Sequence, residues 1–484
     1  MDSQTASHER TVRHAPTSAT LKPNALGVLG ILFFVLSGQA PLTGIAGAAP
    51  ISVAIGNGSG TPAAYVVAGV VILLFSVGFI AMGRHVVDAG AFYTYIGTGL
   101  GRTAGAGGAS VALFAYCAIQ AGMYGLYGSI VSSLVADHTP LHLPWWVYTL
   151  VTMAVVQALG AAGIEMGAKV LAAFVLAEFS ILLVFGLVTL FKGGGPEGLG
   201  VSASFSPSSA LQGAPGIAVM FALASMFGFE ATAIYGEEAR EPKKTVPRAT
   251  YLSVLVVTGF FALTSWSLIS AHGASQAPAA ADAALEAGDS AGFVFAPIAD
   301  LFGGWVNSVL PVLLATSLFA GVLTFHNSAA RYLFCLGRDG QLPPALAQLN
   351  GRHAPAKAGR VQTVIAVLLV APFAVAGQDP VLTLFSWFSG LAVLAMMLLY
   401  LLTSVSVVVY FRRNRVDTRL WNTVIAPVLG ALGIAGAIWL ILANFTTLIG
   451  GQLSTALWLV LSVPVVLAAG VVNQRIRQRL SASR

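Results

Sequence analysis

The sequence predicts an all-α polytopic membrane protein of twelve transmembrane helices, arranged as a five-plus-five inverted repeat with two extra C-terminal helices. Three observations predict it. Of 484 residues, 57 % are hydrophobic and 9 % charged, whereas soluble domains carry about 25 % charged residues. Apolar runs of about 20 residues, long enough to cross a bilayer, recur twelve times. The first and sixth runs are interrupted at matching positions of two halves, a pointer to a transporter built from repeats.

The runs fall near 26–50, 63–82, 105–136, 145–164, 168–191, 214–236, 249–271, 302–331, 361–377, 381–410, 423–444 and 453–473. The third, eighth and tenth are long enough to tilt or to project beyond the bilayer. The expected organisation is a cytoplasmic N-terminal tail (1–25), a first repeat (26–191), a second repeat (214–410), a closing pair of spans (423–473) and a cytoplasmic tail (474–484). Met1–Pro23 is polar and of mixed charge, unlike a cleavable signal with its basic start and apolar core. Placing it inside puts all but Lys192 of the 24 basic residues on the inner side. The longest outer loop, His272–Asp300, then carries Asp282, Glu286, Asp289 and Asp300 and no Lys or Arg. That asymmetry is the positive-inside pattern, so the net charge of +6 points to membrane topology and not to nucleic acid.

The two interrupted runs carry the functional signal. In the first, Pro41 removes a backbone hydrogen bond, so no regular helix runs through Ser37–Gly44. In the sixth, Gly228 loosens the chain and Glu230 puts a carboxyl at mid-span, where it costs about 2.5–3.5 kcal/mol unless paired, protonated or hydrated. Gly38 and Gly228 share one offset that also carries the second run onto the seventh and the third onto the eighth. A break at mid-membrane leaves N–H groups at one half-helix start and carbonyls at another half-helix end. The first can hold a carboxylate and the second an ammonium or a cation, which suits a zwitterionic amino acid; an amine alone also fits.

Three motifs carry a resemblance. Phe227-Gly-Phe-Glu-Ala, followed by Glu237-Glu-Ala-Arg-Glu-Pro-Lys-Lys-Thr-Val-Pro-Arg-Ala249, resembles the sixth-helix signature of amino acid–polyamine–organocation permeases. Asp88-Ala-Gly-Ala-Phe-Tyr-Thr-Tyr-Ile-Gly97 is similar to that family's loop between helices two and three, and Asn327–Pro343 to its eighth-helix end. The resemblance implies the LeuT-type repeat, alternating access, and substrate held by the backbone of helices one and six. Where such permeases carry small residues, this chain reads Ser37-Gly-Gln-Ala-Pro-Leu-Thr-Gly44, with Gln39 and Pro41 departing from the pattern. The mid-span lysine of helix five found in many proton-linked members is absent; Lys169 lies at the inner end of that span.

The candidate substrate-binding residues are Ser37, Gly38, Gln39, Thr43 and Gly44 in span one, Tyr116 and Gln120 in span three, and Ser225, Phe227, Gly228 and Phe229 in span six. Small residues also mark close helix packing, and Phe227 or Phe229 can either stack on an ammonium or pack in the core. Tyr116, Gln120 and Tyr124 are spaced four apart and share a helical face. Ser317, Trp387 and Ser389 are weaker candidates, and His326 reads as a packing or gate residue. Glu230 and Glu178 are the gating or proton-coupling candidates, each with a structural alternative as a hydrogen-bond link between helices. The clusters Glu237–Arg248 and Arg331–Asp339 are expected to stabilise an inner gate or to remain solvated.

No metal or cofactor is expected, and the two cysteines lie far apart in apolar runs. Gly97-Thr-Gly-Leu-Gly101 lacks the preceding strand of a dinucleotide loop, and no phosphate-loop lysine motif supports ATP-driven pumping. Eight scattered histidines form no nucleophile–base set, so an enzyme is not the expectation. The leading expectation is a secondary active permease of the cell inner membrane for amino acids or related amines, with H+ as the coupling ion. An amino acid/polyamine exchanger and a non-transporting nutrient receptor are the alternatives. The sequence leaves oligomeric state open.

Overall fold

The computed structural model describes residues 26–86, 92–230, 232 and 239–482. The expected N-terminal tail, Asp88–Ala91 of the second motif and Glu237–Glu238 lie outside the described residues, as does the side chain of Lys169. The described chain is helical, with two isolated backbone bridges and no strand.

In order, the elements are α1 (Val28–Gln39), α2 (Pro41–Ala46), α3 (Thr61–Gly83), α4 (Phe92–Leu100), α5 (Arg102–His138), α6 (Trp145–Ala162), α7 (Ile164–Phe191) and α8 (Pro215–Ala224). They continue with α9 (Pro242–His272), α10 (Ala277–Glu286), α11 (Gly292–Phe302), α12 (Val306–Arg338), α13 (Ala356–Val375), α14 (Ser386–Asn414), α15 (Ala426–Leu448) and α16 (Leu453–Ala482). Among the described residues ten helices are long and apolar enough to cross a membrane. The first and sixth predicted spans are not among them, because each is divided: α1 and α2 are separate helices, and α8 ends at Ala224.

Several boundaries differ from the sequence reading. Pro242–Arg248 forms the first turns of α9, since Pro242 needs no backbone donor at a helix start. Likewise Arg331–Arg338 continues α12, and His272–Asp300, expected as an outer loop, contains α10 and most of α11. Gly303, at φ 96°, separates α11 from α12 where one span beginning at 302 was expected.

Burial sorts the helices. In its most apolar stretch α5 is 83 % buried, against 17 % for α16. α5 is therefore the centre of the bundle, with α12, α14, α4 and α16 packed on it. α16 turns Leu457, Trp458, Leu461 and Val465 outward, as a lipid-facing helix does. Backbone pairing also links the divided regions: the Arg240 N–H, just before α9, donates to the Leu26 carbonyl, just before α1 (2.8 Å). Near the opposite end, the Ala214 N–H before α8 donates to the Gly56 carbonyl (2.9 Å). Asn57 and Asn444, which stand in the sequon-like triplets Asn57-Gly-Ser59 and Asn444-Phe-Thr446, serve such joints. Asn57 is buried and donates to Ala210, and Asn444 accepts from the Gly216 N–H (2.8 Å).

Candidate functional site

The site is built from the two breaks. At the first, Ala40 takes a left-handed conformation (φ 44°, ψ 75°) between Gln39, the last residue of α1, and Pro41, the first of α2. A non-glycine residue pays about 1–2 kcal/mol there, which the packed surroundings must supply. At the second, α8 stops at Ala224 and Ser225–Glu230 run as turns, with Gly228 at φ 103°.

The breaks touch. The Gln39 amide donates to the Met226 carbonyl of the second break (3.5 Å). A Cβ at Gly44 would lie 2.5 Å from the Phe261 ring and 3.2 Å from Ser225 Oγ, so only glycine lets α2 approach this closely. Tyr65 stacks on Phe261 at 5.3 Å and donates to the Gly44 carbonyl (3.4 Å).

Between the breaks lies a cavity of about 40 Å³. Gln39, Thr43, Gly44 and Ser225 of the predicted set line it. Ile119 and Met123 of α5, Phe221, Phe325, Phe385 and Ser389 complete most of its wall. One water needs about 10–15 Å³ of such space. The cavity as it stands therefore holds a few waters and no amino acid.

Each break also has a buried carboxyl on a backbone N–H. Glu178, on α7, accepts from the Leu42 N–H at 3.5 Å. Its other oxygen has no hydrogen-bond partner among the described residues, and Ser317, which accepts from Thr43 (3.4 Å), lies beside it. Glu230 accepts from the Gly228 N–H (3.1 Å), Tyr116 Oη (3.0 Å) and Tyr400 Oη (3.3 Å). Both glutamates are fully buried, and neither lines the cavity.

The remaining candidates separate. Tyr116, Gln120 and Tyr124 are buried, but they serve different partners. Tyr116 meets Glu230, whereas Gln120 donates to the Val322 carbonyl and accepts from Gln362, a link among α5, α12 and α13. Phe229 packs edge-on among Phe75, Phe79 and Tyr400. Phe227 is buried away from the cavity wall. Of Ser37 and Gly38, only the helical backbone is described. Sequence reasoning missed Ile119 and Met123, although they lie three and seven residues beyond Tyr116 on its own face. It also missed Tyr400, Phe221, Phe325 and Phe385, ordinary aromatics in apolar runs with no local signal.

The sequence profile described as amino acid permease matches residues 26–469. The branched-chain amino acid permease BcaP of Lactococcus lactis is 23 % identical over 258 residues, covering 53 % of this chain and 50 % of the relative. The histidine permease of Saccharomyces cerevisiae is 24 % identical over 294 residues, 57 % of this chain and 47 % of the relative. The aromatic amino acid transport protein AroP of Escherichia coli is 25 % identical over 240 residues, 47 % and 49 % of the two chains. These matches span about half the length of the curated relatives.

Proposed function

This chain belongs to the amino acid permease family, and from that premise we propose that it is a secondary active transporter of amino acids or related amines that alternates access around the two breaks. The observation that carries the proposal is the pair of interrupted helices meeting across a small, buried, partly polar cavity. Membrane-buried backbone is left irregular only where protein or a cavity satisfies it, and such irregularity is the usual basis of transporter sites.

On this reading α1 with α2, and α8 with the turns after it, are the first and sixth of twelve spans in the LeuT-type repeat. Both termini are cytoplasmic. Gln39, Thr43, Gly44 and Ser225 face substrate, with the Ser37, Gly38 and Gly228 backbone close by. Glu230 holds the second break against α5 and α14 through Tyr116 and Tyr400, and acts as a gate. Glu178, with one oxygen unpartnered, is the candidate proton carrier, and H+ is the coupling ion. The apolar surface of α15 and α16 supports a multi-pass membrane protein, and the membrane on this reading is the cell inner membrane.

Uptake into proteoliposomes tests this, using labelled amino acids and polyamines with and without an inward proton gradient. Gradient-stimulated accumulation is the expected result. Uptake only into preloaded vesicles would replace the proton-coupled reading with an exchanger, and saturable binding without flux would replace transport with reception.

A further inference from the structure

Resting on that transport reading, we propose that the cavity selects amino acids with uncharged, apolar side chains, and that Gln39 Oε1 and Ser389 Oγ are the atoms that recognise the substrate's ammonium. The wall explains the selection. Its large side chains are Ile119, Met123, Phe221, Phe325 and Phe385, and among the described residues no charged side chain lines it. A charged substrate side chain would shed its water here with nothing opposite in charge to meet it. The two nearby carboxyls do not serve, since Glu178 turns to the Leu42 N–H and Glu230 to the Gly228 N–H and two tyrosines.

The polar atoms explain the recognition. Gln39 and Ser389 are 5 % and 1 % exposed, and neither Gln39 Oε1 nor Ser389 Oγ has a hydrogen-bond partner among the described residues. Buried acceptors without partners are rare because they lose hydration for nothing. The Gln39 amide is held through its Nε2 on the Met226 carbonyl, which fixes the opposite end as an acceptor. An ammonium supplies the missing donors. Gln39 thus offers a side-chain acceptor while occupying a backbone carbonyl of the second break.

Room for the side chain comes from Met123. Its Cε stands 2.2 Å from where a Cβ on residue 321 would lie, so the methionine tip occupies space that only glycine leaves open. An unbranched thioether repacks readily, and its movement enlarges the cavity.

Competition for uptake in proteoliposomes containing the intact chain tests the proposal, with leucine, phenylalanine, lysine, glutamate and putrescine as competitors. Leucine and phenylalanine are expected to compete, and the three charged compounds to fail at equal concentration. Gln39→Ala is expected to raise KM about tenfold or more, the loss of a hydrogen bond to a charged group. Gln39→Glu is expected to admit lysine or putrescine. Competition by lysine or putrescine equal to that of leucine would overturn the selectivity and leave transport standing. An unchanged KM in both Gln39→Ala and Ser389→Ala would overturn the recognition atoms. Absence of flux for every compound would overturn the transport reading itself, and this proposal with it. The wild-type panel needs no variant, so a misfolded Gln39→Ala does not shield the selectivity from refutation.

Discussion

The two breaks solve one problem in opposite ways. Each leaves a backbone N–H at mid-span, and each gives that N–H a buried carboxyl. At the second break the carboxyl is local: Glu230 reaches back two residues to Gly228 at 3.1 Å, and two tyrosines complete its shell. At the first the carboxyl comes from α7, at 3.5 Å, and half of it is left unpartnered. The backbone shows the same contrast. The second break uses glycine for its positive φ, and the first forces alanine into one. The second break is thus locally saturated, and the first depends on its neighbours. An element that depends on its neighbours changes state when they move, so on the proposed mechanism the first break is the responsive one and the second the anchor.

The largest effect is expected where the anchor is cut. Glu230→Gln sets an amide N–H2 against a group that already donates, stranding at least one buried donor at about 1–3 kcal/mol. The thermal midpoint in detergent should fall and uptake should drop about tenfold or more. Tyr116→Phe should cost more than Tyr400→Phe, because Tyr116 alone serves its oxygen at 3.0 Å; the reverse order would refute the saturated shell. Next, Gly228→Ala must hold φ 103° with a Cβ, at about 1–2 kcal/mol. Ala40→Gly at the other break should stay within about 1 kcal/mol of the parent, relief of strain offsetting the added freedom of the unfolded chain. Equal losses at the two positions would dissolve the contrast. Glu178→Gln should cost less in stability than Glu230→Gln, since Glu178 has a long backbone contact and Ser317 beside it where Glu230 has three shorter partners. Its effect should appear in function, as uptake that no longer responds to an imposed proton gradient. A retained gradient response would return Glu178 to a structural role.

How legible each break was follows from what made it. Pro41 and Gly228 are covalent reasons to stop a helix, so the interruptions could be read from residue type alone. Glu230 was visible as a carboxyl in an apolar run. Its partners were not, because Tyr116 and Tyr400 come from helices remote in the chain and pair only once α5 and α14 pack. The same holds for Glu178 and Leu42, 136 residues apart. Gln120 shows the converse: its place on a polar stripe suggested the substrate path, yet packing gave it Gln362 and the Val322 carbonyl instead. The start of α9 and the end of α12 were misread because a helix entering water keeps its backbone bonds while its side chains turn polar, so hydropathy stops marking it before the helix ends.

The smallest effect is expected in the surface loops that follow α7 and α9. Glu197, after α7, accepts from the Ser275 N–H at 3.0 Å and from its hydroxyl, tying that loop to the one after α9. Those bonds favour the ionised form and hold the carboxyl below its ordinary range. A depressed folded value means that the contribution is fully present above the unfolded value and is lost as pH falls through the folded one. The tie is therefore constant near neutrality and opens only in acid. Glu197→Gln should leave the thermal midpoint within error and should raise proteolytic cleavage within 193–214 at neutral pH. The wild type should reach the same cleavage only below the ordinary carboxylate range. Equal cleavage of both at neutral pH would mean that the loop is held without Glu197, by Trp266 and Ser270 on the Leu199 carbonyl, the Gly195 N–H on the Ser270 carbonyl and the Asn57 and Gln212 contacts. The surface tie would then add nothing to the joint between the breaks.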